Sequence, residues 1–189
     1  MPSLSLTERE LATKRQSAIR GLITPLVYDR NRIEVRRVGG AQTFTLSVIN
    51  SGQSPASVIN ADWVRVKTKV DGVFINYYEV WVSDRDTKEY LLERAYMHVH
   101  LKKSNEAADK QILCLHCDPL LKSSDQSFSY KRGPHLHVLG ASPNIDRSHI
   151  AICLTDPNYG GADIHILTHT LQSAVKMIER EIFPHYLTR

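Results

Sequence analysis

Residues 130–154 read YKRGPHLHVLGASPNIDRSHIAICL. A Gly-Pro lead-in opens a short apolar strand, and Ser142-Pro143-Asn144 then turns the chain, since proline and asparagine both favour turns. Cys153 follows inside the apolar triplet Ile152-Cys153-Leu154. A polar loop leads on to an amphipathic helix expected over Asp163 to Ile182, where Ile164, Leu167, Leu171, Ala174 or Val175, Ile178 and Ile182 recur at threes and fours. Pro184 ends it. A cysteine set between strand and helix, with a turn asparagine nearby, suits thioester chemistry.

Working outward, the preceding region reads as antiparallel strands. Tyr90–Leu101, Gln111–Cys117 and Pro134–Val138 are expected strands, with a short one at Ile150–Leu154. Upstream, Phe44, Leu46 and Val48 alternate, as do Val64 and Val66. Asp71-Gly72 predicts a two-residue hairpin turn between VRVKTKV and VFINYYEVWV. SDRDTKE, residues 83–89, is a polar break. At the N-terminus Thr7 and Glu10 form a capping-box pattern, with Ser5 and Glu8 as an alternative, for a helix over Glu8–Leu22. Leu11, Ala18, Ile19 and Leu22 supply its apolar stripe, while Arg9, Lys14, Arg15 and Arg20 are expected on a solvated face. The fold class is α+β: an antiparallel meander packed by an N-terminal and a long C-terminal helix. One domain is expected over 1–189, with a helix and an elaborated β region in 1–83 and a core in 84–189.

Composition narrows the setting. Apolar residues make up 42% and charged residues 23%, as in globular proteins, and no run approaches a membrane span. The N-terminus does not read as a secretory signal. Three cysteines, an odd number, point to reduced thiols and a cytoplasmic location. A net charge of +4 falls short of the basic stripe of a dedicated nucleic-acid binder, so nucleic acid is not the expected partner.

From about residue 90 to 183 the order of these features resembles the ubiquitin-conjugating enzymes. That family has a strand meander, a proline-led strand, a His-Pro-Asn turn, an Ile-Cys-Leu with the catalytic cysteine, and a long helix. Tyr130, Gly133-Pro134, PHLHV, Ser142-Pro143-Asn144-Ile145 and Ile152-Cys153-Leu154 stand at those places, with Ser142 where the family has histidine. The extra β region before the meander is similar to divergent bacterial relatives in ubiquitin-like conjugation operons tied to phage defence. The resemblance implies a transferase. Cys153 accepts the C-terminus of a ubiquitin-like modifier from an activating enzyme and passes it to a substrate amine. It implies that Asn144 stabilises the oxyanion, and it needs neither cofactor nor metal. His149, four residues before Cys153, is a further candidate for orienting the site or moving a proton; the family motif does not supply it.

A second signal competes. Nine histidines are many for 189 residues. His98-Val-His100 and His135-Leu-His137 each put two imidazoles on one strand face, and Cys114 shares a face with His116. Cys114 and Cys117, formally Cys-x-x-Cys, point to opposite faces if in a strand. His165 and His169 lie one turn apart on the last helix. These residues suit a metal-dependent hydrolase, or a metal-free phosphodiesterase or ribonuclease with histidines as acid and base and Lys131 and Arg132 on phosphate. A catalytically inactive member of the conjugating fold that only binds partners is the third alternative.

Overall fold

A computed structural model describes residues 4–27, 33–37, 43–48, 63–67, 72–101, 110–119, 134–138, 148–151 and 164–177. The chain begins with β1 (Ser5–Leu6) and a continuous helical run: α1 (Glu8–Glu10), a π-helical turn (Leu11–Arg15) and α2 (Gln16–Ile23). The predicted capping box is made by Thr7 and Glu10. The Glu10 amide donates to the Thr7 hydroxyl at 3.3 Å, and the Thr7 amide donates to the Glu10 carboxylate at 3.2 Å. A 3₁₀ turn, Thr24–Leu26, closes the run.

Among the described residues the sheet is antiparallel and nine-stranded. Its strands are β1, β2 (Ile33–Arg37), β3 (Thr43–Val48), β4 (Val64–Arg65), β5 (Val73–Ser83), β6 (Tyr90–Leu101), β7 (Lys110–Cys117), β8 (His135–Val138) and β9 (Ser148–Ala151). Seven form the path β2-β3-β5-β6-β7-β8-β9, with β1 on β6 and β4 on β5. The last helix, α3 (Ile164–Met177), completes the expected α+β architecture.

Two register findings correct the sequence reading. A two-residue turn at Asp71-Gly72 would place Val70 opposite Val73, but Val64 pairs with Ile75 and the Val66 amide donates to the Val73 carbonyl. The physical reason is occupancy. β3 holds the same edge of β5 from Tyr78 to Val82, and the Lys67 amide is drawn to the Leu26 carbonyl, so β4 is confined to the near end. Gly72 does adopt the left-handed φ of 83°. The last strand also begins earlier than expected, at Ser148, and residues 152–154 of the expected strand lie outside the described residues. Across the SDRDTKE break the sheet is continuous, because β5 and β6 pair from Val73↔Leu101 to Ser83↔Tyr90.

The sheet's two faces are chemically different. Tyr77, Met97, Leu115 and Leu136 stand in one row across β5 to β8 and belong to the main core. Leu11, Ile19 and Ile23 from the first helical run and Leu167, Leu171 and Ala174 from α3 belong to the same core. Both helical regions therefore cover the Met97 face.

Inside that core lies a buried ion pair that overturns the solvated-face expectation for Arg15. Arg15 is 3% exposed and Glu79 is not exposed at all. Arg15 Nε donates to the two Glu79 oxygens at 3.0 and 3.2 Å, Nη2 adds a contact, and Nη1 donates to Thr168 Oγ1 of α3 at 2.6 Å. Tyr77 Oη and Trp81 Nε1 also donate to Glu79. The reason is spacing: Leu11, Arg15, Ile19 and Ile23 recur strictly at fours, and all four are buried. Arg9, Lys14 and Arg20 are exposed as expected.

Removing one partner leaves an uncompensated buried charge, which costs about 3–5 kcal/mol. Glu79→Gln is expected to lower unfolding stability in urea by that order. The double variant Arg15→Met, Glu79→Gln should recover a substantial part. Equal instability of single and double variants would show that shape, not charge, is what the pair supplies.

Candidate functional site

On the opposite face the strand pairings align a set of nitrogen and sulfur donors. One row runs Asn76, His98, Cys114 and His137 across β5 to β8. The next runs Tyr78, Tyr96, His116 and His135. His100 lies two residues beyond His98 on β6. His98 of one His-x-His pair and both histidines of the other therefore meet on this face, with β7 inserted between them, while His100 stands outside the two donor groups described next.

The donors are close. His116 Nε2 lies 3.4 Å from His98 Nε2 and in contact with Cys114 Sγ. The ring centroids of His116 and His137 are 4.4 Å apart, and those of His135 and His137 are 4.9 Å apart. Two groups result, His98 with Cys114 and His116, and His116 with His135 and His137. In each group the potential ligand atoms lie within 4.8 Å of one another. Cys114, His135 and His137 are buried, and His98 and His116 are half-buried.

A wall of aromatic rings orients the centre. Tyr96 stacks on His116 with centroids 3.9 Å apart and planes 24° apart, and Tyr78 lies 5.4 Å from Tyr96. Tyr96 Oη donates to Asp118 Oδ1 at 2.6 Å, which fixes the ring. Burial, then that hydrogen bond and the Asp118 charge, raise the Tyr96 phenol well above its ordinary range, so it stays protonated. Burial, reinforced by His100, pushes His98 down to about 4. Its imidazole is neutral at pH 7, with a lone pair to offer.

The other sequence candidates divide. Cys153, Asn144, Lys131 and Arg132 lie outside the described residues. His149 is in β9, directly opposite His137 in the ladder. Cys117 belongs to the main core, so Cys-x-x-Cys is split between faces as strand parity demands. His169 is exposed on α3, beside Glu10 and Lys14, and does not join the histidine face. Tyr78, Tyr96 and Asp118 were not singled out from sequence; the signal was the period-two spacing of Tyr96, His98 and His100. Among known proteins, no family model, curated protein or solved structure matches this chain.

The His98 shift has a sign. Above its unfolded value of about 6.5 the ring is neutral folded or unfolded and contributes nothing. Between there and about 4 the unfolded chain takes a proton that the folded chain refuses, so stability falls as pH falls, then levels off. Urea unfolding of the metal-free protein from pH 7 to 5 is expected to show this loss, and His98→Gln to flatten it. An unchanged slope in His98→Gln would assign the loss to other groups.

Proposed function

We propose that the protein is a metal-dependent hydrolase, with zinc the ion best suited to its donors. The observation that carries this reading is the pair of three-donor groups sharing His116. Histidine and cysteine are zinc ligands, and three protein ligands with one open position is the arrangement of catalytic sites. An ion there lowers the pKa of bound water and so supplies hydroxide near neutral pH. Either group can supply such a set, His₂Cys from His98, Cys114 and His116, or His₃ from His116, His135 and His137. Tyr96, stacked on His116, and Asp118, bonded to Tyr96, hold the shared ligand in place.

Zinc titration of chelator-treated protein should give tight stoichiometric binding. Loss of an outer-shell partner typically costs 10–100-fold in metal affinity. His116→Ala, which strikes both groups, is therefore expected to cost more than about 100-fold. Cobalt substitution should show a thiolate charge-transfer band absent in Cys114→Ala if the His₂Cys group is occupied. No stoichiometric zinc, or full binding by His116→Ala, would overturn the proposal.

A second reading is favoured by chain order. A capped helix, an antiparallel meander, a strand over Ser148–Ala151 and a helix over Ile164–Met177 follow the sequence of parts expected for a conjugating enzyme. On that reading Cys153 carries a ubiquitin-like modifier as a thioester, with Asn144 at the oxyanion and His149 nearby. Incubation with an activating enzyme, modifier and ATP should then give a thiol-sensitive adduct on a non-reducing gel, lost in Cys153→Ala. An adduct that persists in Cys153→Ala would remove the cysteine from that role. Modifier binding without any adduct would identify a binding-only member.

A further inference from the structure

β4 alternates sharply. Val64 and Val66 are buried in the main core, whereas Trp63 and Arg65 are exposed and Lys67 is half-buried. Pairing carries Arg65 onto Phe74, and Phe74 onto His100, so the outward residues of this strand rise from the histidine face. The Trp63 ring lies 4.2 Å from the His100 ring and 6.4 Å from the His98 ring, centroid to centroid. At 39% exposure Trp63 is the exposed large apolar side chain among the described residues. Trp63 thus stands at one edge of the histidine face, with an arginine and a lysine following it at alternate positions.

We infer that this edge binds single-stranded nucleic acid and feeds it to the histidine face. The inference rests on the hydrolytic reading and names its substrate class as a phosphodiester. An indole with solvent over it offers a stacking surface for an unpaired base, and the two cations that follow it at alternate positions suit the phosphates that continue from that base. Each partner class makes different demands. An acidic peptide would use the cations but leave the indole idle. A duplex would hide its base faces. The net charge of +4 attracts a polyanion without being high enough to hold one by charge alone. In the reaction, a water oxygen bonds to phosphorus and the bond from phosphorus to one sugar oxygen breaks. That oxygen takes up the proton lost by the water. No redox partner is required.

The test is anisotropy of a short labelled single strand, as RNA and as DNA, with the whole protein first chelator-treated and then zinc-loaded. Binding is expected without metal, stronger for single strand than for duplex, with log affinity falling by roughly 0.7 per phosphate contact for each tenfold rise in salt. Trp63→Ala should weaken it by roughly 5- to 150-fold, and Trp63→Phe should restore most of it. Arg65→Gln with Lys67→Gln should flatten the salt dependence while keeping the preference for single strands. Unchanged binding by Trp63→Ala, equal binding of duplex, or equal competition by polyglutamate would overturn the inference. Its failure is separable from that of the hydrolase. Stoichiometric zinc with no Trp63-dependent strand binding sinks the inference alone. Strand binding through Trp63 in a protein that takes no zinc supports the binding edge and sinks the hydrolase.

Discussion

The buried pair of Arg15 and Glu79 is the constraint on which the rest depends. A charge in the core is tolerated only when it is paired and hydrogen-bonded on all sides, and here each partner is. Burial alone would pull the Arg15 guanidinium down, but the Glu79 carboxylate raises it above its ordinary value, so the guanidinium stays charged. Burial and then the same carboxylate raise the Tyr77 phenol, which keeps its proton to donate. Arg15 comes from the first helical run, Glu79 from β5 and Thr168 from α3. One interaction therefore fixes the positions of three elements distant in sequence.

It also fixes orientation. Side chains alternate along a strand, so committing Tyr77 and Glu79 to the helical side commits Asn76 and Tyr78 to the other. The antiparallel ladders then pass that choice across the sheet through His98, Cys114 and His137. A slip of one residue at any of these ladders would send a histidine row into the apolar core and Met97 or Leu115 out of it. The apolar packing on one face and the donor cluster on the other are thus two consequences of one register. Destabilising the ion pair is a threat to the site even though the pair lies on the other face of the sheet.

Much of this was legible in the residues. The alternation around Met97, His98, Val99 and His100 declares two faces, and the Thr7–Glu10 box marks where the first helix begins. Other features were hidden because they depend on partners far away in the chain. Arg15 read as a surface residue because charge is the strongest local cue, although Leu11, Ile19 and Ile23 at intervals of four place it on the buried stripe. A lone glutamate between Tyr77 and Trp81 in an otherwise apolar strand was the matching sign. The Asp71-Gly72 turn signal is locally sound, but β3 competes for the same edge of β5, and no local pattern reports that competition. The approach of His98 to His135 and His137 through His116 needed β7 between β6 and β8, which is a matter of topology.

The two functional readings make different uses of cysteine. Cys114 is buried and ringed by imidazoles, with the half-buried His116 and His98 at hand and Tyr96 stacked behind. A thiol acting as an acyl carrier must meet the C-terminus of another protein, so burial counts against Cys114 in that role. Burial is no obstacle to a metal ligand, because the ion excludes the need for access by a protein partner and holds the sulfur as thiolate. Cys114 and Cys153 therefore do not compete for one task. The aromatic wall adds to the distinction: Tyr96, anchored by Asp118, restrains His116 in the orientation that lets one imidazole serve both donor groups. Restraint of that kind suits a centre that must hold a ligand set while its outer edge, at Trp63, remains open to solvent.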